Sequence, residues 1–443
     1  MNFKLKKLYI EGNFFYALAS IVVLFIISFF YYPFFNVAKV LLLALVVFML
    51  LDILVLFLVK KGISARRILP EKLSNGDENP IEIHIKNYYT FSVFTKIIDE
   101  IPFQFQKRDF LIEKKLKINE DKAFTYNLRP TERGEYAFGK LIINVQSPLR
   151  FVSRRFDFSE NEILPTYPSF IQLRKFDLIA LAYRNEFGLK KVRRIGHTME
   201  FEQIKEYVLG DDIRTINWKA TAKRNQLMVN QFQDEKSQPI YSVIDKGRVM
   251  KMPFDGLSLL DYAINATLVM SSITLKKQDK AGMFCFSKKV ENRVVAERRT
   301  SQMNLILETL YNIKTDFHES DYSKLYADIK RNINHRSLLF LYTNFETLDG
   351  LERQLPYLQA IAKQHVLVTI FFENTALEEL ISKPATTIPE IYNKTIAEKF
   401  SYEKRLIVKE LESRGVYAIL TKPENLTINV INKYLEFKAR GIV

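Results

Sequence analysis

The chain has 443 residues, which is enough for two or three folded domains at about 100–200 residues each. Hydrophobic residues make up 48% and charged residues 26%, with 14 Gly and 14 Pro, and this composition excludes a collagen-like or disordered chain. The single cysteine excludes an internal disulfide framework and a cysteine-rich metal site. A formal net charge of +15 predicts an anionic neighbour, either nucleic acid or a lipid surface.

Residues 1–61 contain two apolar segments. The segment from Phe14 to Tyr32 carries no charge, and the segment from Val40 to Val59 carries only Asp52. At about 1.5 Å per residue each segment spans a hydrocarbon core of roughly 30 Å, so the sequence predicts a hairpin of two transmembrane helices, the first ended by Pro33. For Asp52 we favour pairing with an interfacial lysine or a neighbouring helix over a functional contact.

The basic residues around these segments predict their orientation. Only Lys39 lies in the connection between the segments, and the flanking residues are Lys4, Lys6, Lys7, Lys60, Lys61, Arg66 and Arg67. Because lysine and arginine concentrate on the cytoplasmic side of a membrane, we expect both termini in the cytoplasm and a lipid bilayer as the first partner of the chain.

Short alternating segments predict a β-sandwich over residues 62–168. In IEIHIKN, Ile81, Ile83 and Ile85 share one face, as a half-buried strand requires. Further strands are predicted at Phe103–Phe105, Lys114–Ile118, Ala123–Leu128 and Lys140–Val145. Many short strands separated by turn signals, without an amphipathic helix, are typical of a sandwich.

Residues 169–239 are predicted to connect the sandwich to the next domain. A basic cluster from Arg184 to Arg194 is followed by Glu200, Glu202 and Glu206, and then by GDDIRTINWKATAKRNQLMVNQFQDEK from Gly210 onward. Gly210 predicts a turn, because glycine adopts conformations closed to other residues.

A helix is predicted to follow this turn. Asp211 or Asp212 is expected to cap it, and Ile213, Ile216 and Ala220 recur at helical spacing. Arg214 and Trp218, four residues apart, would then share one side of the helix, where the guanidinium can stack on the only indole of the chain. The segment is either a recognition surface or a salt-bridged structural link, and the spacing does not choose between them.

Residues 240–443 predict an α/β domain. Near-continuous apolar strands alternate with amphipathic helices, which is typical of a parallel sheet covered on both faces. The predicted strands are Ile240–Asp245, Gly282–Ser287, Ser337–Thr343, His365–Phe372 and Gly415–Leu420. Ligands bind beyond the carboxyl ends of such strands, which directs attention to Asp245 and to Thr343 and Asn344. Cys285 lies inside an apolar strand, where a buried thiol is expected.

The string from Glu200 to Lys236 closely resembles the signature of the bacterial "domain of unknown function 58" proteins. Arg133, Gly134 and Tyr136, and the Ser-Pro-Leu from Ser147, extend the resemblance along the chain. The resemblance implies a protein of the bacterial inner membrane, a C-terminal fold similar to the von Willebrand factor A domain, and partnership with a MoxR-type AAA+ ATPase. It names no reaction.

A von Willebrand A domain holds Mg²⁺ with an Asp-x-Ser-x-Ser loop, a threonine and a later aspartate. Here Asp245 is present, but Gly247 and Val249 stand at the serine positions and Asn344 at the later acidic position. Thr300 is the only loop threonine to nominate, and hard cations need oxygen ligands that are largely missing. We therefore expect no cofactor and no metal, with Asp245, Thr300 and Asn344 as weak candidates only.

Three functions remain open. The favoured one is a membrane-tethered interaction or scaffold protein that docks the ATPase, with no catalytic residues and a possible homo-oligomeric state. Its partner-binding or fold-defining residues are predicted to be Glu202, Glu206, Tyr207, Gly210, Asp211, Asp212, Arg214, Asn217, Trp218 and Lys219. The alternatives are a metal-dependent hydrolase using Asp211 and Asp212 and, ranked last, a nucleic-acid-binding protein. The sequence holds no Walker A or dinucleotide-binding motif.

Overall fold

The structure is a computed structural model that describes residues 7–107, 109–158, 161–172, 199–234 and 237–442. The chain divides into two compact units, Met1–Tyr167 and Pro168–Val443. The basic cluster from Arg184 to Arg194 lies outside the described residues.

Two apolar helices begin the first unit, α1 at Gly12–Ser28 and α2 at Pro33–Leu58. By length and composition α2, with 26 residues, is long enough to cross a membrane, whereas α1 has 17 residues. The prediction that Pro33 ends the first helix is wrong, because Pro33 is the first residue of α2. Proline suits that position, since the N–H groups of a first helical turn have no partner within the helix.

Three sheets form the β-rich part of this unit. Their strand orders are β1-β10-β9-β5-β6, β2-β4-β7 and β3-β11-β8. The strands are β1 Leu8–Ile10, β2 Ile63–Ile68, β3 Leu73–Ser74, β4 Asn79–Asn87, β5 Val93–Asp99, β6 Leu111–Leu116, β7 Asp121–Leu128, β8 Gly134–Phe138, β9 Leu141–Gln146, β10 Val152–Phe158 and β11 Glu162–Tyr167.

The predicted strands are confirmed with one exception. Ile81, Ile83 and Ile85 of β4 are fully buried, as their alternation indicated, and side chains of β4, β5 and β9 share one core. The residues Phe103–Phe105 form a 3-10 turn and not a strand. They directly follow Pro102, whose ring fixes the backbone and removes an N–H that a sheet ladder needs.

The β-rich part holds both apolar helices at their ends. β1, just before α1, pairs with β10, and the Glu11 N–H donates to the Phe151 carbonyl at 2.9 Å. At the other end the Leu56 carbonyl of α2 accepts hydrogen bonds from Arg154 Nη1 at 2.8 Å and from the Tyr89 hydroxyl at 3.1 Å. The helical pair is therefore bonded to this β structure through both of its chain connections.

Asp52 of α2 lies in the same junction, with 3% of its surface exposed. Ser147 Oγ donates to Asp52 Oδ2, and the Phe151 N–H donates to the same oxygen at 3.4 Å. The favoured interpretation, pairing with a lysine or a helix, is wrong. The β9–β10 turn, which begins at Ser147 and continues through Pro148, places a hydroxyl against α2 and supplies the missing donor.

Replacing Ser147 by alanine should lower the free energy of unfolding by about 1–3 kcal/mol, because a buried carboxyl group loses a hydrogen-bond donor. Thermal unfolding of the full-length protein in detergent measures the change. Ser20→Ala is the matched control, since the exposed Ser20 hydroxyl bonds only to the Tyr16 carbonyl of its own helix. Equal effects of the two substitutions would contradict a specific role for Ser147.

The second unit contains a six-stranded sheet of order β18-β17-β14-β19-β20-β21. β18 is an antiparallel edge and all other neighbours are parallel. The strands are β12 Met199–Glu206, β13 Met228–Asp234, β14 Pro239–Asp245, β15 Pro253–Phe254, β16 Leu257–Ser258, β17 Lys280–Phe286, β18 Val290–Glu297, β19 Leu338–Tyr342, β20 Val366–Phe372 and β21 Tyr417–Thr421.

Helices cover both faces of this sheet, and a separate hydrophobic core lies on each face. The predicted α/β pattern is confirmed, and Cys285 is buried in β17. The strand Val290–Glu297 and the helix Thr375–Ser382 were not predicted. The helices are α3 Trp218–Arg224, α4 Leu259–Lys276, α5 Gln302–Tyr311, α6 Tyr322–Asn332, α7 Leu348–Ala362, α8 Thr375–Ser382, α9 Ile388–Ser413 and α10 Leu426–Arg440.

Candidate functional site

The family-signature segment forms a β-hairpin with a structured tip. β12 and β13 pair with each other as a two-stranded sheet of their own, from Met199 opposite Asp234 to Glu206 opposite Met228. Residues 207–227 connect the two strands. An isolated pair of strands is marginally stable in water, so the contacts within this tip matter for its shape.

The first element of the tip is a turn that Asp211 stabilises. Gly210 has φ +110°, a conformation that glycine adopts readily, so the predicted turn is confirmed. Asp211 accepts hydrogen bonds from Lys205 Nζ at 2.8 Å and from the Val208 N–H at 3.0 Å. The hydrogen bond from Lys205, followed by that from Val208, lowers the pKa of Asp211 below its ordinary value. The carboxylate is thus committed to holding the turn.

Two caps follow this turn. Asp212 accepts from the Arg214 N–H at 3.0 Å and begins a 3-10 turn, so the capping residue left open by the sequence is Asp212. Asn217 accepts from the Ala220 N–H at 3.0 Å and begins α3. Its amide also donates to Asn230 of β13 at 2.8 Å, which fixes the helix start to the hairpin.

The prediction of one continuous helix with Arg214 and Trp218 on a shared side is wrong. The chain is extended at Ile216 and Asn217, where the Asn217 N–H donates to the Met228 carbonyl at 2.8 Å. This pairing with β13 interrupts the helix after a single 3-10 turn. Arg214 therefore lies in the 3-10 turn, and Trp218 begins a separate helix.

Large apolar side chains of the tip face solvent. We define the apolar tip patch as Val208, Leu209, Ile213 and Trp218, which are 62%, 96%, 69% and 70% exposed. Of these, the sequence analysis named Trp218 as a partner-binding or fold-defining residue and Ile213 only as part of a helical repeat. The exposure of Val208 and Leu209 was predictable, because two apolar residues directly before a turn glycine have little chance of burial.

The remaining predicted residues surround this patch. Arg214 and Lys219 are exposed, and Glu206 is exposed at the end of β12. The Tyr207 N–H donates to the Leu227 carbonyl at 2.8 Å, and its side chain is half-buried. The side chain of Glu202 lies outside the described residues. The structure thus brings most of the predicted residues into one tip, in which Asp211, Asp212 and Asn217 bind backbone N–H groups and the large apolar side chains are exposed.

A second candidate lies at the carboxyl edge of the main sheet. Asp245, at the end of β14, is fully buried, and burial raises its pKa above the ordinary value. One carboxyl oxygen accepts from Ser320 Oγ and from the Gly247 N–H at 2.8 Å, and the other accepts from Thr343 Oγ1 at 2.7 Å. Both oxygens are thereby satisfied by protein donors.

The three weak metal candidates are not assembled into a ligand set. The Asn344 side-chain oxygen accepts from Lys404 Nζ at 2.7 Å, and Thr300 is exposed in the loop after β18. The described part of the chain contains no group of three or more His, Cys, Asp or Glu side chains able to hold a metal ion. The donor set does not fit Mg²⁺, since the one carboxylate is occupied and an ammonium group takes the Asn344 oxygen.

Asp245→Ala should lower the free energy of unfolding by about 1–3 kcal/mol, because buried donors at Gly247, Ser320 and Thr343 lose their acceptor. Asp245→Asn should cost less, since it keeps one acceptor oxygen. Urea unfolding of the full-length protein measures both, with the exposed Thr300→Ala as control. Stabilisation of the wild-type protein by millimolar Mg²⁺, lost in Asp245→Ala, would contradict this assignment.

Beside this edge a cavity of about 460 Å³ is lined by side chains that follow β19, β20 and β21 and by α8 and α9. Its wall is mostly apolar and includes Phe372 and Phe400, with Lys404 among them. Burial lowers the pKa of Lys404 to about 8, and the nearby Glu346 and Glu373 offset part of that effect. The cavity therefore holds an amine that is partly neutral near pH 8.

Lys404 should make the stability of the protein rise with pH between about 8 and 10.5. In this window the unfolded chain, with an ordinary lysine pKa of 10.5, holds a proton that the folded chain has released, so the free energy of unfolding increases. Lys404→Met should remove this slope, measured by urea unfolding at successive pH values. Lys409→Met, an exposed lysine of the same helix, should keep it, and loss of the slope in both variants would contradict the assignment to Lys404.

Comparison with known proteins supports the family resemblance. Residues 203–385 match the family model described as "Protein of unknown function DUF58". The resemblance of this segment to the DUF58 family is confirmed. A curated relative, "Uncharacterized protein YeaD" of Bacillus subtilis strain 168, is 22% identical over 202 residues. The match covers 44% of this chain and half the length of YeaD.

Solved structures give weaker similarities. The ASH/PapD-like domain of human CEP192 is 12% identical, with a TM-score of 0.20, and the match covers 25% of this chain and 87% of that domain. Proximal thread matrix protein 1 from the mussel byssus is 9% identical, with a TM-score of 0.27, and the match covers 45% of each chain. These scores are too low to carry a structural argument.

Proposed function

We propose that this DUF58 protein is a membrane-tethered docking protein whose hairpin tip binds a cytoplasmic MoxR-type AAA+ ATPase. The observation that carries the proposal is the apolar tip patch, in which Leu209 is 96% and Trp218 70% exposed. Exposed apolar residues grouped in one segment are typical of an interaction site, and tryptophan is among the residues that contribute most to binding energy.

The charges around the patch support a partner with an acidic rim. Arg214 and Lys219 are exposed beside it, and Lys223 and Arg224 occupy the last turn of α3. Charge complementarity at the rim of an interface speeds association and sets its orientation, while the apolar centre supplies affinity.

The membrane tether consists of α1 and α2 as two transmembrane helices, with both termini in the cytoplasm of a bacterial cell. Its support is the exposed apolar surface of α2 together with the lysines and arginines that flank the helical pair. At the other end of the chain we assign the six-stranded, mainly parallel sheet to a von Willebrand A-like fold. Its support is the strand order, with a single antiparallel edge strand.

The alternative functions find less support. Asp211 and Asp212, the acids of the hydrolase alternative, are engaged in closing a turn and capping a 3-10 turn. Nucleic-acid binding rests on the net positive charge of the chain, and the basic cluster from Arg184 to Arg194 lies outside the described residues. Docking is the function that gives the exposed apolar tip patch a role.

Trp218→Ala should reduce capture of the ATPase by about 30-fold, the effect of losing about 2 kcal/mol from a central tryptophan. Arg214→Ala should weaken capture less and mainly slow association. Crosslinking in native membranes, followed by quantification of the captured ATPase, measures the change.

Tyr392→Ala is the matched control for this experiment, because Tyr392 is a 66% exposed aromatic residue of α9 and not part of residues 207–227. Its substitution should leave capture unchanged. Full capture by Trp218→Ala would contradict docking at the tip. The proposal also fails if Asp211→Ala and Asp212→Ala abolish a metal-dependent turnover while folding and partner binding persist.

A further inference from the structure

A basic cleft lies where the first apolar helix begins. Its volume is about 540 Å³, and the lysine and arginine residues that line it are Lys96, Lys114, Lys115 and Arg150. Glu11 and Glu113 line it as well. Strand register explains the grouping, because Lys96 and Glu113, and Phe94 and Lys115, are opposite each other on β5 and β6.

The positive charge of the cleft is only partly neutralised. Glu11 pairs with Lys96 at 3.2 Å. The Arg150 guanidinium and the Lys115 ammonium lie 3.7 and 5.2 Å from the centroid of one ring, that of Phe94. Within the described ranges neither cation has a carboxylate oxygen within 4.0 Å. Two cations against one ring repel each other, so an anion between them would be stabilised.

The backbone holds Arg150 in place for such an anion. Arg150 has φ +58°, an uncommon conformation for a residue with a side chain. It is fixed by a hydrogen bond from its N–H to the Ser147 carbonyl at 3.1 Å. Ser147 is the residue that binds Asp52 of α2, so the position of Arg150 is tied to the end of the apolar helix.

The cleft also lies at the depth of lipid headgroups, an argument that rests on the proposed membrane tether. Gly12 and Asn13, the first residues of α1, line it, and the first turn of α1 has no side-chain cap. Asp52 is six residues, or roughly 9 Å, inside the end of α2. Because Ser147 and the backbone of Leu149 bind Asp52, the 47% exposed Leu149 lies beside α2, and Arg150 is the next residue of the same turn.

We propose that this cleft binds the phosphate group of an anionic membrane lipid. Arg150 and Lys115 would contact the phosphate oxygens by charge-assisted hydrogen bonds, and the free N–H groups at the start of α1 would add to them. The lipid tail would then lie along the apolar helices. A soluble phosphate has the same headgroup chemistry but lacks this apolar contribution.

The test uses the full-length protein in nanodiscs of equimolar phosphatidylcholine and phosphatidylglycerol, followed by native mass spectrometry of the retained lipid. Wild-type protein should retain phosphatidylglycerol in preference to phosphatidylcholine. In the double variant Arg150→Gln/Lys115→Gln the ratio of the two retained lipids should fall about tenfold. The matched control Lys86→Gln/Lys122→Gln makes the same charge change on the β2-β4-β7 sheet and should retain the preference.

Further arms separate the possible failures. Inorganic phosphate at tens of millimolar should not displace the lipid, and displacement would identify a site for soluble phosphate and overturn the lipid assignment. If the double variant unfolds, Lys115→Gln alone, a change at an exposed residue, takes its place. Unchanged retention in a membrane-inserted variant contradicts only this inference, whereas a wild-type chain absent from the membrane fraction contradicts the proposed tether as well.

Discussion

The contact between Ser147 and Asp52 joins two parts of the chain that have opposite solvent requirements. α2 exposes mostly apolar side chains, while the β-rich part has a conventional core and a polar surface. A carboxyl group within an apolar helix is costly unless donors reach it, and Ser147 and the Phe151 N–H reach this one. The Glu11 N–H bonds to the same turn, so the start of α1 and the end of α2 are both held by it.

In the hairpin tip, three polar side chains hold the backbone while large apolar side chains face solvent. Asp211, Asp212 and Asn217 each accept backbone N–H groups that would otherwise lack partners. Carboxylates used in this way are poorly placed for acid–base or metal chemistry, since reaction would require them to release the turn. Leu209 and Trp218 have no such role, and their side chains face solvent.

The fold was largely predictable from the sequence because its signals are local. The alternation of β4 and the apolar strands of the main sheet each arise within a few residues. The failures involve distant partners. The helix expected after Asp212 is broken at Asn217 by pairing with Met228 of β13, and Asp52 is bound by Ser147, 95 positions away. No periodicity in either segment encodes these contacts.

At the carboxyl edge of the main sheet, protein donors surround a buried carboxyl group. Hydroxyl groups of Ser320 and Thr343 donate to Asp245. Lys404 supplies positive charge nearby, bound to Asn344. An edge organised by hydrogen bonds keeps its shape without a divalent ion.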